Sequence, residues 1–425
     1  MNFFGLYFSS HRSTSMNAST LRYGFHILSG RLKHNLAHTV LAKNGRVRKM
    51  CSISSLQTDA MKKFNIDYAS ISNVAETSDP LTFKKNIENY IGTVKLPVGV
   101  VKVLVNGRHA KGVYTVPMAT TEAVLVASYS RGAKVISEAG GAEVIAVHQV
   151  IPRAPVFELE SVEKALELKE WLETNSVFTT LKEIAESTTN HGKLVKVKAR
   201  LHGPFVYTQF FFTTGDACGQ NMTTIATDAI CKHIIDICPC KIVNWLVEGS
   251  LSKDKRACHD SLNGDRGVYV TGSVVLPKEL VSDRLHTTVD RIMDLNYHVT
   301  SGNAMLGSVG IPYQHANALA AIFIACGQDP ACIVESQAAI TNYRKTETGD
   351  IQLISTLPAL MVGTVGGGTT LPSQKDCLNL VGTSGSGKLM EFAEVVIATS
   401  MAGDLSISAA ISCHHFAKAH HKFAR

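Results

Sequence analysis

Apolar and polar positions follow two rhythms along the chain, and each rhythm predicts a kind of element. In 96–107, LPVGVVKVLVNG, β-branched residues punctuated by glycine predict a strand with a turn. In the segment that follows, a threonine pair precedes an apolar periodic run, which predicts an amphipathic helix with Glu122 in its first turn. Upstream, Pro80 and the helical spacing of apolar residues predict a helix over 78–92.

The middle of the chain, 156–246, has a different character. Helix-like stretches such as SVEKALELKEWLETN alternate with strand-like ones such as VYTQFFFTT, which predicts a separate α+β unit. From about residue 265 long apolar strands and helices return, so we expect three regions with a middle insertion. The longest apolar run identified, 318–326, is much shorter than the roughly 18 residues that a membrane span needs, and we expect a soluble protein.

Charge adds a feature at one end of the chain. Of 425 residues, 18% are charged and 45% apolar, which is typical of a folded globular protein, and the net charge is +7. Residues 1–56 hold eight Lys or Arg and no acidic residue, and the remainder has 34 basic against 35 acidic residues. A nucleic-acid partner is therefore not expected. The leader has the composition of an organelle transit peptide, for example mitochondrial; the alternative is an N-terminal extension on a cytoplasmic protein.

Cysteine and histidine spacing argues against a metal centre. The ten cysteines include no CxxC pair and lie mostly in apolar or glycine-rich segments, which favours reduced, buried thiols. The tail HHFAKAHHKFAR has four imidazoles, but no carboxylate joins them. We expect no metal.

Glycine-rich segments offer weak signals of phosphate binding. GTSGSGKL at 382–389 follows the phosphate-cradling loop until Leu389, where a hydroxyl is required, so a glycine-rich turn opening a helix is the better interpretation. GTVGGGTT at 363–370 lets backbone N–H groups approach a phosphate or a neighbouring chain, yet lacks the spacing of a Rossmann fold. TTGDACGQNM at 213–222 is either a pyrophosphate-holding turn or simply a helix cap.

Taken together, eight motifs in order resemble the 3-hydroxy-3-methylglutaryl-CoA (HMG-CoA) reductase family over residues 88–425, in a form closer to the eukaryotic than to the bacterial class. The motifs are ENYIG, LPVGV, PMATTEAVLVAS, TTGDACGQNM, SKDKRA, IACGQD, GTVGGGTT and MAGDLS…AKAHH. The resemblance implies an oxidoreductase that reduces HMG-CoA to mevalonate and free CoA with two NADPH, for isoprenoid and sterol precursor synthesis.

The resemblance also implies an α+β fold and a domain plan. A large α/β substrate-binding domain would carry an inserted ferredoxin-like NADPH-binding domain and follow a small helical N-terminal domain. The expected boundaries are 1–57 for the leader, 58–88 for the N-terminal domain, 89–154 and 258–425 for the large domain, 155–246 for the NADPH-binding domain, and 247–257 for a connecting loop. The family buries its active site between subunits, so a homodimer or tetramer is implied.

Four residues carry the chemistry by this resemblance. Lys255 would stabilise the oxyanion that hydride attack on the thioester creates, and Asp329 would keep that lysine charged and oriented. Glu122 would supply or shuttle a proton. His420 would protonate the departing CoA thiolate.

Binding residues carry over in the same way. The substrate contacts implied are Arg153, as a clamp on the free carboxylate, with Asp254, Arg256 and Asn317. The cofactor contacts implied are Arg131 and Lys134 at the 2′-phosphate of NADPH, and Asp216, Gly219 and Asn221 at the nicotinamide.

The chain departs from the family pattern at a few substrate-facing positions. Glu248 and Ser250 stand where the family has a serine and an asparagine, and His298 or a neighbour stands where a substrate-binding lysine is usual. A carboxylate at Glu248 would repel the anionic acyl group of the substrate. The departures leave two alternatives open: a non-catalytic paralogue, and a reductase of a related acyl-CoA.

Overall fold

The computed structural model describes residues 86–87 and 94–417, and within them strands and helices alternate. In chain order they are β1 (Val98–Gly107), β2 (Lys111–Ala119), α1 (Leu125–Glu138), β3 (Ala142–Arg153), β4 (Val156–Leu159), α2 (Val162–Leu172), α3 (Asn175–Ser187), β5 (Lys193–His202), β6 (Phe205–Thr213), α4 (Gln220–Ile237), β7 (Ile242–Leu246), β8 (Gly267–Leu276), α5 (Lys278–Leu285), α6 (Val289–Leu306), α7 (His315–Ala325), α8 (Ile333–Ser336), β9 (Ile340–Lys345), β10 (Ile351–Leu360), α9 (Pro372–Val381) and α10 (Leu389–Ser412).

A large sheet has the strand order β2-β1-β3-β8-β10-β9. Strands β1 and β3 pair in parallel, and the connection between them runs through β2 and α1, because parallel neighbours need a crossover. The other pairs in this sheet are antiparallel. Its buried residues form one core with α1, α7 and α10.

A small sheet has the order β7-β4-β6-β5, and its chain order β-α-α-β-β-α-β is a ferredoxin-like pattern with one additional helix. It has a core of its own, which includes Phe157, Leu181, Phe210 and Ile230. Strand β3 links the two sheets: most of its length pairs with β8, whereas Ile151–Arg153 pairs with β6. Arg153 therefore lies where one sheet passes into the other.

Helix α10 lies across the large sheet and contacts β1, β3, β8 and β10. Glycines allow its close approach to α1: a Cβ on Gly132 would lie 1.8 Å from the carbonyl oxygen of Ala402, and one on Gly403 would lie 2.3 Å from the ring of Tyr129. Helices were expected in this part of the chain, but this stretch was not identified as the longest apolar run. Its 24 residues are long and apolar enough to cross a membrane, with mean hydropathy 1.5, but 83% of the apolar window is buried inside the protein, as in a core helix.

The predicted mixed fold of helices and sheets is confirmed, and β1 corresponds to the strand predicted at 96–107. One local prediction was wrong. Helix α1 begins at Leu125, so Glu122 lies in the loop before it rather than in its first turn. Val124 has a left-handed backbone, with φ 74°, which keeps the helix from starting earlier. The leader, the helix at 78–92 and the N-terminal domain lie outside the described residues, apart from 86–87, and the domain boundaries stay a prediction.

Candidate active site

The first part of the site is a cavity of about 260 Å³ beside the loop that carries Glu122, here called the Glu122 pocket. Glu122 is exposed, and its backbone N–H donates to Thr120 Oγ1 at 3.0 Å, so Thr120 helps to shape this loop. The lining includes Arg131, Gln314 and Asn317. A carboxylate, a guanidinium and two amide residues therefore line one small volume.

Arg131 is held in this pocket by α10. Its Nε donates to Ser406 Oγ at 3.1 Å, and a second guanidinium nitrogen donates to the Ser406 carbonyl. Burial lowers the pKa of Arg131 from its ordinary value. Lys134, one turn further along α1, is instead exposed and lies 3.8 Å from Glu138. Within the chain, Arg131 thus lines the same pocket as Glu122.

A buried polar network fixes the start of α7, which presents Gln314 and Asn317 to the pocket. His315 Nε2 lies 2.8 Å from Asp404 Oδ2, and both side chains are fully buried. Asp404 Oδ1 also accepts from the Gln314 backbone N–H at 3.0 Å, while Thr341 Oγ1 lies 2.8 Å from His315 Nε2. Because these contacts satisfy buried polar atoms, the helix start has little freedom to shift.

The second part of the site contains the predicted lysine and aspartate. Lys255 Nζ lies 3.2 Å from Asp329 Oδ2, and each side chain is about two-fifths exposed. Asp329 also accepts from the Ala331 N–H at 3.0 Å, which caps a short 3₁₀ turn. Burial disfavours the charged lysine, but the hydrogen bond and charge of Asp329, with Asp254, outweigh it and raise the pKa of Lys255. The ammonium form is therefore the resident form at neutral pH.

Two buried side chains, Arg266 and Glu335, hold the backbone at Lys255 in place. Arg266 and Glu335 are fully buried, and the Arg266 guanidinium reaches Glu335 Oε1 at 2.8 Å and Asp254 Oδ1 at 2.6 Å. Glu335 Oε1 also accepts from the Lys255 backbone N–H at 3.2 Å, where Lys255 has a left-handed φ of 54°. Burial raises the pKa of Glu335, although Arg266 opposes that rise. The arrangement positions Lys255 through its backbone.

The same carboxylates have ligand atoms near a cysteine. Asp254, Cys332 and Glu335 offer ligand atoms within 4.8 Å of one another, a spacing that could suit a metal ion. However, the Arg266 guanidinium already hydrogen-bonds both carboxylates. A second cation there would meet a buried positive charge, so we propose no metal at this place.

Arg153 joins the second part from the end of β3. It is 6% exposed; its Nη1 lies 3.1 Å from Glu248 Oε2 and 3.7 Å from Asp254 Oδ2, and its Nη2 donates to the Gln220 carbonyl at 3.3 Å. Arg256 is exposed and reaches Ser250 Oγ at 3.4 Å. Arg153, predicted to clamp the substrate carboxylate, therefore already faces two carboxylates of its own chain.

The third part is the turn after β6. The Asp216 carboxylate accepts backbone hydrogen bonds from Gly387 at 2.7 Å, Lys388 at 3.0 Å and Leu389 at 3.1 Å. Gly219 has φ 79° and begins α4, and a Cβ there would lie 2.3 Å from Thr214, so glycine is required. Asn221, in the first turn of α4, is exposed. Within the chain Asp216 thus holds the turn against α10.

Two kinds of contact join the second and third parts of the site: one between two glycine backbones, the other between a glutamine amide and a thiol. A Cβ on Gly327 would lie 2.4 Å from the Gly368 carbonyl oxygen, so the turn before Asp329 packs directly on the GTVGGGTT segment. Gln220 Nε2 donates to Cys332 Sγ at 2.8 Å, and a hydrogen bond from Cys332 lowers the pKa of the Cys218 thiol. The predicted cofactor turn is therefore in direct contact with the segment that follows Asp329.

The structure does not bring all predicted residues together in one chain. Asn317 lies near the start of α7, whereas Asp329 follows its end, and an 11-residue helix rises about 16 Å. The Glu122 pocket and the Lys255–Asp329 pair are thus at opposite ends of α7. His420 lies outside the described residues. His298, at the position of the missing lysine, is exposed and lies 3.6 Å from Asp294.

Sequence reasoning missed Arg266, Glu335 and Gln220. Glu335 stands alone in the otherwise apolar or small segment ACIVESQAA, and a charged residue in such a segment is a signal of a paired, buried group. Arg266 precedes a strand within GDRGVYV, where nothing in the local pattern distinguishes it from a surface residue. Its partner lies 69 residues away, which only the fold reveals.

The fold is that of an HMG-CoA reductase. Two solved structures of the Streptococcus pneumoniae enzyme superpose with TM-scores of 0.67 at 19% identity, each covering 84% of this chain and 96% of the bacterial one; one is a class II enzyme bound to NADPH. At that identity the likeness establishes the fold. The chain itself belongs to the hydroxymethylglutaryl-coenzyme A reductase family, which matches residues 54–425.

Curated relatives agree with this membership. The 3-hydroxy-3-methylglutaryl-coenzyme A reductase of Methanocaldococcus jannaschii is 39% identical over 86% of this chain and 90% of its own length. That of Methanothermobacter thermautotrophicus is 40% identical over 80% and 86%, and reductase 1 of Dictyostelium discoideum is 36% identical over 80% and 62%. The expected closeness to the eukaryotic class was wrong: the archaeal relatives are more similar than the amoebal one, and the class II structure from Streptococcus pneumoniae matches the fold.

Proposed function

We propose that this protein reduces HMG-CoA to mevalonate and free CoA with two NADPH, as an oxidoreductase of the mevalonate pathway. The observation that carries the proposal is the Lys255–Asp329 ion pair at 3.2 Å, whose segment contacts the turn after β6 through Cys332 and Gln220. It supplies a fixed positive charge where a thioester carbonyl would become an oxyanion.

The role of Lys255 follows from its surroundings. A hydride that adds to a thioester carbonyl leaves negative charge on oxygen, and an ammonium group held by Asp329 stabilises that charge without reorganising. Arg266 and Glu335 fix the backbone at Lys255, so the side chain starts from a defined position. Arg153 is the side chain we assign to the free carboxylate of the substrate.

Glu122 and Asn317 belong to a second copy of the chain in this proposal. A proton donor must lie within about 3 Å of its acceptor, and the two ends of α7 are about 16 Å apart. The Glu122 pocket of one subunit would therefore meet the Lys255–Asp329 pair of its partner in a homodimer or a dimer of dimers. His420, near the end of the chain, is the proposed proton donor to the CoA thiolate.

The turn after β6 and the GTVGGGTT segment fit a dinucleotide. Gly215, Gly366 and Gly367 have positive φ, and a Cβ at each would meet nothing within 4 Å, so the backbone there is open to a phosphate. NADPH, when bound, supplies the hydride. We assign Gly219 and Asn221 to its binding surface, Asp216 to holding that surface in place, and Arg131 to the thioester side rather than to the 2′-phosphate.

The basic leader supports a proposal on location. Residues 1–57, rich in Arg and Ser and free of acids, would direct the protein to an organelle; the alternative is a cytoplasmic enzyme. Fusing 1–57 to a fluorescent protein tests this, and a diffuse cytoplasmic signal would exclude targeting.

Steady-state kinetics test the activity. The purified full chain should oxidise NADPH only when HMG-CoA is present and should release mevalonate and CoA, identified by mass spectrometry. Lys255→Ala should lose about 10²-fold or more in kcat, while Lys182→Ala, on the exposed surface of α3, should match the unmodified protein. A folded, oligomeric protein that consumes no NADPH with HMG-CoA would overturn the proposal.

A further inference from the structure

The environment of Arg153 is unusual for a side chain assigned to bind an anion. The guanidinium is buried, and Glu248 already lies 3.1 Å from its Nη1 atom. Asp254 approaches the same nitrogen at 3.7 Å, and the Gln220 carbonyl accepts from Nη2 at 3.3 Å. One positive charge thus faces two carboxylates before any substrate arrives.

The two carboxylates differ in how firmly they are held. Asp254 is fixed by Arg266, which is fully buried and donates to it at 2.6 Å. Glu248 lies on the loop after β7, and its side chain is 31% exposed. Its other oxygen accepts from the Ser250 backbone N–H at 2.7 Å, which aims Oε2 at Arg153. Glu248 is therefore the carboxylate that an incoming anion has to displace.

We infer that Glu248 is a specificity-determining residue: it occupies Arg153 as an internal competitor for the free carboxylate of the acyl group. The inference rests on the proposed function, since it concerns the same binding site. A substrate carboxylate that takes the place of Glu248 at the Nη1 atom breaks the Glu248 contact, and it would then lie beside Asp254 and a displaced Glu248. An acyl-CoA without that carboxylate pays no such penalty. The site consequently discriminates weakly between the two kinds of thioester.

Binding titrations of a single isosteric variant test this inference. Glu248→Gln keeps the length of the side chain and an oxygen for the Ser250 N–H but removes the negative charge. Calorimetry of the full chain should show HMG-CoA binding at least about tenfold more tightly to the variant. The Kd of 3-hydroxy-3-methylbutyryl-CoA, which lacks the terminal carboxylate, should stay within about twofold.

Two controls separate the charge effect from a change in the fold. Glu143→Gln removes an exposed carboxylate near the start of β3, the strand that ends in Arg153, and should change neither Kd. Adding Arg153→Gln to Glu248→Gln should abolish the gain for HMG-CoA. An unchanged or weaker HMG-CoA affinity in Glu248→Gln overturns the inference, as does equal tightening of both thioesters.

The readout is distinct from that of the proposed function. Binding is measured without turnover, so a protein that fails to oxidise NADPH with HMG-CoA still yields the two dissociation constants. Loss of the proposed function would appear in the kinetics alone, whereas failure of the Glu248 inference would appear in the ratio of the two affinities.

Discussion

The Asp216 carboxylate accepts a hydrogen bond from the backbone N–H of Lys388 at 3.0 Å, which ties the turn after β6 to the first turn of α10. The residues around Lys388 form the GTSGSGKL segment that imitates a phosphate-cradling loop. Its free N–H groups do bind an anion, but the anion is a carboxylate of the same chain. The turn after β6, which we assign to the cofactor, is thereby anchored to α10.

Asp216→Ala should weaken both the fold and cofactor binding. The variant leaves three N–H groups at the start of α10 without their acceptor, and we expect a loss of about 1–3 kcal/mol in the free energy of unfolding. The KM for NADPH should rise because the turn at Gly219 loses its anchor. Chemical denaturation and steady-state kinetics measure the two effects.

Asp216→Asn serves as the comparison, since it keeps one acceptor oxygen and the size of the side chain. It should lose less stability than Asp216→Ala. If Asp216→Ala unfolds at the same denaturant concentration as the unmodified protein, the anchoring role is wrong.

The pH dependence of turnover should report the Lys255–Asp329 pair. The folded-state pKa of Lys255 is raised, so its charge and the stability it contributes are fully present below the ordinary lysine pKa and are lost as pH rises through the raised value. We expect kcat to stay constant as pH rises above neutral and to fall only when Lys255 deprotonates. In Asp329→Asn that decline should move to lower pH, and kcat should also fall.

A pH-rate profile in which Asp329→Asn declines at the same alkaline pH as the unmodified protein would contradict this assignment. Asp376→Asn, on α9, is a suitable control because it removes an aspartate that is not part of the site. Its profile should superpose on that of the unmodified enzyme.

Arg266→Met should be among the most destabilising single changes in the site. It leaves Glu335 buried without its cation, and breaking a buried ion pair costs about 3–5 kcal/mol. Because burial raises the pKa of Glu335, the loss should be largest at neutral pH and shrink as pH falls toward the ordinary glutamate value. Denaturation curves at two pH values test both parts; equal losses at both would count against the buried charge as the cause.

Gly132→Ala should disrupt the contact between α1 and α10. The added Cβ would lie 1.8 Å from a backbone oxygen of Ala402, which cannot rotate away, so we expect a loss of about 3 kcal/mol or more. Gly302→Ala is the matched control, because Gly302 lies in α6 with nothing within 4 Å of its Cβ position. That change should leave the free energy of unfolding equal or raise it by about 0.5–1 kcal/mol.

Mixing two inactive variants tests the shared active site. Glu122→Gln and Lys255→Ala proteins, unfolded and refolded together, would form mixed dimers in which one site has both intact residues. We expect recovery of about a quarter of the activity of the unmodified dimer from an equal mixture. Each variant refolded alone should stay inactive, and a mixture that recovers nothing while forming mixed dimers would place Glu122 and Lys255 in the same subunit.

Local pattern predicted the elements better than it predicted their ends. The β-branched run at 96–107 and the alternation over 156–246 became β1 and the small sheet, because these patterns reflect which faces are buried. The start of α1 was missed, since the left-handed backbone at Val124 has no signature in its side chain. The contact of Asp216 with the cofactor stays a prediction, whereas only the fold shows that its carboxylate caps a helix that begins more than 170 residues later.

The sequence by itself determined the family, the mixed fold and the candidate residues, since short motifs record which side chains stand at turns and strand ends. Only the tertiary structure decided which of them meet. It placed Arg131 in the Glu122 pocket and Glu248 against Arg153. Those pairings depend on β3 passing between two sheets and on the length of α7, and such distances between remote segments are set by packing rather than by local sequence.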